Sequence, residues 1–323
     1  MKLKNLNILV TGGAGFIGSV FCNYISKYVN KLIIIDKLSY VSNIKNIKDI
    51  IEHDNVIFIN ENILSHDFIC TFNKYDINYI IHFAAQTHVD NSYKYFNDFI
   101  EDNIIATQLL LDAISKYEKK IILFHFSTDE IYGPSINNIK FDENSNFNPT
   151  NPYSASKACC EMIINTYKYS YNLPIIISRC NNVYGKYQFV EKVIPCFILN
   201  ALNNKNIPIH GDGNKIRDFI HIYDVIQAIV IIIEKGTIGE IYNIGSDNPI
   251  KILDLANIII KKVGGGNINF IKDRPFNDNR YYVNSDKLEL LGWKSTMDFD
   301  KGLDDVIEWI KNNPNYWKDV NII

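Results

Sequence analysis

Residues 7–18 read Asn-Ile-Leu-Val-Thr-Gly-Gly-Ala-Gly-Phe-Ile-Gly, a short apolar run followed by glycines at 12, 13, 15 and 18. The run Asn7–Thr11 predicts a parallel strand covered on both faces, and Gly13, Gly15 and Gly18 fit G-x-G-x-x-G at the turn into a helix. Glycines there let the backbone approach a pyrophosphate, and the helix N-terminus offers free N–H groups and positive potential. Asp36 ends the next apolar run, 18 residues past Gly18. An acid at that place accepts hydrogen bonds from both ribose hydroxyls and repels a 2′-phosphate, so the expected cofactor is NAD rather than NADP. The plainer alternatives are a glycine turn with no ligand and a helix-capping role for Asp36.

Working outward, similar apolar runs recur at Lys31–Asp36, Val56–Asn60, Tyr79–Phe83, Ile121–Ser127 and Pro174–Arg179. Helix-length segments separate them, notably Tyr93–Lys116, where apolar residues return at three-to-four spacing. Six strands with intervening helices predict an α/β fold, a doubly wound parallel Rossmann sheet. After Arg179 the pattern changes to a polar loop over Asn181–Gln188, then helices over Glu191–Leu202, Asp224–Glu234 and Lys251–Val263, the last stopped by Gly264–Gly266. We read 1–183 as the NAD-binding Rossmann domain and 184–323 as a smaller interleaved α/β substrate domain, with about 218–245 returning to the first.

Composition narrows the function. The 323 residues include 33 Lys plus Arg against 36 Asp plus Glu, a net charge of −3 with no polycation tract, which argues against a nucleic-acid binder. The opening Met-Lys-Leu-Lys is basic, but the apolar run after it is short and leads into glycines rather than a cleavage site. No run approaches the roughly 18 apolar residues of a membrane span. Six cysteines (Cys22, Cys70, Cys159, Cys160, Cys180, Cys196) show neither metal-ligand spacing nor a disulfide framework. No metal and no membrane are expected, and the thiols suit a reducing cytoplasm.

The reacting groups stand in two clusters. Tyr153 and Lys157 lie four apart after Pro152, which suits the first turn of a helix, so they share one helical face. At about 5 Å and an effective dielectric near 20 an ammonium favours a phenolate by roughly 3 kcal/mol. That would bring a tyrosine from about 10 toward 8, a usable base for a sugar hydroxyl. Alone, the spacing is equally that of a solvated helix face. Ser127-Thr128-Asp129-Glu130 follows the fifth strand, where it is either a capping box from Ser127 to Glu130 or a pair of acids facing the ligand crevice. Close like charges split their pKa values, so one carboxyl can stay protonated while the other is a base, with Thr128 hydrogen-bonding the sugar. Asn62, after the third strand, could touch adenine or simply make a turn. Lys192 and Arg217 could neutralise a diphosphate or be ordinary surface cations.

Together these features resemble the extended short-chain dehydrogenase/reductase superfamily and, within it, the nucleoside-diphosphate-glucose 4,6-dehydratases. The resemblance rests on TGGAGFIG, HFAAQTHVDNS, STDEIYG, PTNPYSASKA, NNVYGKYQFVEKVIP, IPIHGDG with IRDF, YNIGS and DRPFNDNRY, and spans nearly the whole chain. The Thr-Asp-Glu triplet is its specific part, since the related 4-epimerases usually carry small residues where Asp129 and Glu130 stand. The resemblance implies catalytic roles for Thr128, Asp129, Glu130, Tyr153 and Lys157. It implies cofactor contacts from Gly12, Gly15, Phe16, Ile17, Gly18, Asp36, Lys37, Leu38, Ser39, Asn62, Ile63, Phe83, Ala84, Ala85, Tyr153, Lys157 and Val183. It places Thr87, Thr128, Asn182, Lys192, Val193, Pro208, Ile209, His210, Arg217, Asn243, Asp273, Arg274, Pro275, Phe276 and Asn277 around the sugar nucleotide. Two departures stand out. Lys186 and Val190 replace usual prolines, and Asp102 stands where bacterial relatives tend to have threonine, so that cofactor contact does not carry over.

The implied reaction is an internal redox dehydration of UDP-glucose or dTDP-glucose to the 4-keto-6-deoxy sugar. The rivals are a 4-epimerase or reductase and a silent NAD or sugar nucleotide sensor. Gln86–Ser92, Asn181–Tyr184, His210–Gly213, Arg274–Asp278 and Asn313–Trp317 look most like the dehydratase part of plant rhamnose synthases, which favours UDP-glucose. The chain closes where an epimerase-reductase part would follow, implying a separate downstream partner. The family is typically a homodimer through two helices, here near Tyr93–Lys116 and Tyr153–Tyr171.

Overall fold

The computed structural model describes residues 2–317. Met1 and residues 318–323, at the two ends of the domain division drawn above, lie outside the described residues. Twelve strands are formed among the described residues. They are β1 (Asn7–Thr11), β2 (Lys31–Ile35), β3 (Val56–Ile59), β4 (Tyr79–His82), β5 (Ile122–Thr128), β6 (Ile175–Cys180), β7 (Asn182–Tyr184), β8 (Asn206–His210), β9 (Ile216–His221), β10 (Ile241–Ile244), β11 (Pro249–Lys251) and β12 (Asn267–Ile271). Seven make one sheet in the order β10-β6-β5-β4-β1-β2-β3, with every neighbouring pair parallel. The chain winds outward from β1 to β3 and returns to lay β4 beside β1, so the winding reverses at the β1/β4 edge, where open α/β sheets bind their ligands.

The strands read as continuous apolar runs because both faces are covered. Ile8, Val10, Leu32 and Ile34 face one core together with helices Phe16–Ile25 and Ile222–Lys235. Leu9, Ile33, Ile35 and Ile80 alternate to the other core, under Phe68–Tyr75 and Ala106–Lys116. Each such side chain contributes about 1.5–3 kcal/mol by leaving water. A third core joins Val193–Leu202, Ile252–Val263 and Phe299–Asn312 over a three-stranded sheet (β11-β9-β7) and the β12/β8 pair. Among the described residues no helix is long and apolar enough to cross a membrane.

Three expectations change. The main sheet has seven strands, not six. Its last, β10, is four residues long with a fully buried Asn243 in it, so it lacks the apolar run that marked the others. The segment expected as the loop Asn181–Gln188 contains β7, which pairs with β9. The single helix expected over Tyr93–Lys116 is broken into Val89–Lys94, Phe96–Phe99, a π-helical turn Ile100–Ile105 and Ala106–Lys116. The wider π turn brings Asn103 inward, where its side chain accepts from the Gln86 N–H (2.7 Å) and donates to the Gln86 carbonyl (3.1 Å) and Ser156 Oγ (2.8 Å).

Helix Pro152–Tyr171 is fixed at its start and at its middle. Asn151 caps it reciprocally with Ser154. Farther along, Glu161 takes a buried ion pair from Arg179 of β6 (2.7 Å), an arrangement costly to leave half made. The helix carrying Tyr153 and Lys157 is therefore held rigidly against β5 and β6.

Candidate active site

A continuous cleft runs along the carboxyl ends of the main sheet. At one end the β1 turn passes Gly12 to Gly18 into helix Phe16–Ile25, whose cap residue Gly15 offers no side-chain acceptor, leaving the first N–H groups to a ligand. Gly12 has φ +71°, and a Cβ there would meet the Ala84 backbone at 2.6 Å. At Gly18 a Cβ would meet the Gly12 carbonyl at 2.2 Å, so the turn and helix close only on glycine. Asp36 is 5% exposed. Its carboxylate accepts from the N–H groups of Ala14 (3.0 Å) and Leu38 (2.8 Å), and burial pushes its pKa up against those donors. A buried anionic head beside an open helix N-terminus suits a dinucleotide with free ribose hydroxyls.

The acids sit at the other end. Thr128 ends β5 and caps the 3₁₀ turn Asp129–Tyr132, accepting from the Glu130 N–H (3.3 Å). Ser127 is not the cap, which removes the capping-box reading; its Oγ is buried with no partner among the described residues. Asp129 is enclosed, accepting from Asn181 Nδ2 (2.6 Å) and the Thr128 hydroxyl (3.3 Å). Burial first, then the neighbouring Glu130 charge, push Asp129 up to about 7. Burial also raises Glu130, but Asn151 Nδ2 donates to it (3.0 Å) and the Arg217 and Lys192 charges favour its ionised form. Burial thus raises both acids, while the Asn151 amide and the Arg217 and Lys192 charges oppose the rise at Glu130, which favours Asp129 as the proton holder and Glu130 as the base.

Tyr153 hydrogen-bonds Thr128, while burial and the Glu130 charge hold its phenol well above the usual range. This corrects the expectation that Lys157 would lower it. Lys157 Nζ donates to the Phe126 carbonyl (2.8 Å) and lies 3.3 Å from His125 Nε2, and burial lowers its own pKa. Helical spacing put the two residues on one face, but the buried polar partners decide where the ammonium points. Behind it His125 and His82 are both buried and held neutral, His82 down to about 3.

Of the expected cofactor contacts, Gly12, Gly15, Phe16, Ile17, Gly18, Asp36, Lys37, Ser39, Asn62, Ile63, Phe83, Ala84, Ala85, Tyr153, Lys157 and Val183 line the cleft; Leu38 does not. Leu38 contributes its N–H to Asp36 instead. Thr87, Thr128, Asn182, Lys192, Val193, Pro208, His210, Arg217, Arg274, Phe276 and Asn277 line the sugar nucleotide end. Four expected residues are not part of the lining. Ile209 is fully buried in the third core because the β8 alternation turns it inward. Asn243 is fully buried, accepting from the Tyr132 hydroxyl (2.9 Å) and donating to backbone carbonyls. Asp273 accepts from Asn277 Nδ2 (2.8 Å) and so orients a lining residue. Pro275 is not part of the lining. Arg217 Nη1 donates to the Asp278 carbonyl (3.0 Å) and Nη2 to Asn277 Oδ1 (3.1 Å), and Lys192 Nζ donates to the Thr87 carbonyl (2.7 Å).

Sequence reasoning missed Asn151, Asn181 and Tyr281. Tyr281 donates to Glu130 (3.4 Å) and bonds Asp278, which also accepts from Thr150 (2.7 Å). Asn151 was detectable, since the residue before a helix-starting proline is the cap and lies beside the acid turn. Nothing local in the sequence marked the other two.

A GDP-mannose 4,6 dehydratase family model matches residues 9–306. A dTDP-D-glucose 4,6-dehydratase of Dictyostelium discoideum is 41% identical, over 98% of this chain and 84% of that protein. A trifunctional UDP-glucose 4,6-dehydratase/UDP-4-keto-6-deoxy-D-glucose 3,5-epimerase/UDP-4-keto-L-rhamnose-reductase of Arabidopsis thaliana is also 41% identical, over 98% of this chain, which spans about half (49%) of the plant protein. Among solved structures, dTDP-glucose 4,6-dehydratase from Bacillus anthracis str. Ames in complex with NAD matches with a TM-score of 0.89 at 36% identity, covering 98% of this chain and 100% of that one.

Proposed function

The chain belongs to the GDP-mannose 4,6-dehydratase family, and from that membership we propose that it is an NAD-dependent nucleoside-diphosphate-glucose 4,6-dehydratase, a hydro-lyase. The single observation that carries this reading is the pair of adjacent acids, Asp129 and Glu130, within one cleft with Tyr153 and Lys157. The Gly12–Gly18 turn and Asp36 would hold NAD, which would supply a hydride acceptor for C4 and a hydride donor for C6. Tyr153, as the phenolate, takes the proton of the 4-hydroxyl as the C4 hydride leaves, and Thr128, its hydrogen-bond partner, orients it and the sugar. The C4 ketone acidifies C5–H, which Glu130 removes, while Asp129 protonates the departing 6-hydroxyl so that it leaves as water. Lys192 and Arg217 supply the positive charge for the diphosphate. Incubating the pure protein with UDP-glucose and dTDP-glucose and weighing the products tests the reading. Loss of one water is expected; a product of unchanged mass would mean epimerisation, and no turnover with tight binding would mean a sensor.

The pH profile should follow the two acids. Glu130 works ionised and Asp129 works protonated, so kcat rises as Glu130 loses its proton and falls as Asp129, set at about 7, loses its own. The alkaline limb is expected to drop about tenfold per pH unit above the transition. A kcat flat from neutral pH to two units above it would remove Asp129 as the acid.

For the base we propose a preference for UDP-glucose over dTDP-glucose. The plant-like stretches support it, including Phe276-Asn277, both of which line the cleft. One methyl group is worth roughly 1–3 kcal/mol in a pocket, so the selectivity is expected to be partial. A kcat/KM for dTDP-glucose above that for UDP-glucose overturns this choice and leaves the reaction standing. The 4-keto product would pass to an epimerase and reductase.

We further propose a cytoplasmic homodimer through helices Ala106–Lys116 and Pro152–Tyr171. Exposed Tyr95, Ile105, Met162 and Tyr169 on or beside these helices support it, since a dimer contact there would cover them. Sedimentation at the mass of two chains is expected, and a monomer would refute it.

A further inference from the structure

Asp102, the departure singled out in the sequence, does not face open solvent. It stands in the π-helical turn Ile100–Ile105 and forms part of the cleft wall at the dinucleotide end, with Lys37 and Gln86. Lys37 Nζ donates to both its carboxylate oxygens, each at 2.6 Å, and Gln86 Nε2 donates to Oδ2 at 2.8 Å. The carboxylate is set in advance. Its neighbour Asn103 is 1% exposed and tied on both edges to the Gln86 backbone and to Ser156, so the turn cannot swing away.

Lys37 follows Asp36, the acid that meets the ribose hydroxyls in folds of this kind. It is therefore placed where a cation accommodates a 2′-phosphate when the cofactor carries one. A lysine there is a flexible point charge, free to serve any anion in reach. Here it is already neutralised, and the half-exposed pair (36% and 14% side-chain exposure) contributes little to stability. Its effect is on the electrostatics of the groove, where a second carboxylate joins Asp36 and the adjoining ammonium is occupied.

We propose that Asp102 is a second determinant of NAD over NADP, acting by holding Lys37 away from the 2′ position of the adenosine ribose. The inference rests on the NAD reading above. It assigns to this π turn a specificity role separate from the chemistry at Tyr153 and Glu130. It also accounts for the tolerance of a carboxylate at a place where a threonine would serve as a neutral contact.

The test is equilibrium binding of NAD+ and NADP+ to protein freed of nucleotide, followed by calorimetry, with the ratio of the two dissociation constants as the readout. In Asp102→Asn the side-chain shape is kept and the charge removed, and the ratio Kd(NADP+)/Kd(NAD+) is expected to fall about tenfold. Asp102→Thr should move it the same way and serves if the first variant folds poorly. In the double variant Lys37→Gln/Asp102→Asn the gain should vanish, because the freed ammonium is its source. A ratio within twofold of wild type in both single variants overturns the proposal. An equal fall in the single and double variants also overturns it, assigning the effect to the acid's own charge. A wild-type protein that binds NAD+ while the ratio stays fixed sinks this inference alone, whereas one that binds neither dinucleotide sinks the NAD reading with it.

Discussion

Glu130→Gln is expected to lower kcat by about 10²–10⁴-fold while leaving the first half of the reaction in place. The amide keeps the shape and can still accept from Asn151 Nδ2 and Tyr281, so the turn Asp129–Tyr132 should hold. It cannot take a proton from C5. Tyr153, Thr128 and Lys157 are untouched, so the 4-hydroxyl can still be oxidised and reduced cofactor should accumulate on the protein, visible by its near-ultraviolet absorbance. Exchange of the C5 hydrogen with deuterated solvent should disappear. An enzyme that only inverts C4 has no use for a base at C5. A Glu130→Gln variant within threefold of wild-type turnover would therefore reject the dehydratase chemistry and favour an epimerase.

The parts of this site legible in the sequence were those that depend on backbone geometry. Asn7–Thr11 and Gly12–Gly18 announce a strand, a close turn and a helix because only that combination uses continuous apolar residues and then glycines. Asp36 follows from the same logic, and the neighbours in Asp129-Glu130 must share a crevice once β5 is placed beside β4 and β6. Less legible was anything that depends on how side chains partition among buried partners. Tyr153 and Lys157 do share a helix face, yet the ammonium goes to Phe126 and His125, whose contributions come from another strand. Ile209 sits inside a motif that lines the cleft, but strand alternation turns it to the interior, and Asn243 lies in β10, where Tyr242, Asn243 and Ile244 are all buried away from the cleft. Tyr281 reaches Glu130 across 151 positions of chain, a contact no local pattern encodes. The π turn at Ile100–Ile105 was hidden for a related reason: its period-breaking residue, Asn103, reads as one more buried position in an ordinary helix.

Tyr153→Phe is expected to abolish turnover to a comparable or larger extent, with the opposite spectroscopic outcome. The phenol is buried, packs edge-to-face against Phe99 (centroids 6.4 Å apart), and has no role in closing a helix end, so removing one oxygen should leave the fold and its melting temperature nearly unchanged. What is lost is the group that receives the 4-hydroxyl proton. Burial and the Glu130 charge make the phenolate costly in this site, so the ionised form that takes this proton depends on positive charge beside it, which an oxidised nicotinamide would supply. A variant lacking the hydroxyl should then fail at the first step. It should form no reduced cofactor, unlike Glu130→Gln, while the affinity for a nucleoside diphosphate held by Lys192 and Arg217 stays close to that of the parent. This contrast separates the two halves of the reaction by residue. A Tyr153→Phe protein that still accumulates reduced cofactor would move the first proton transfer to another group, with the Thr128 hydroxyl beside it as the candidate, and would leave Glu130 as the base for the second.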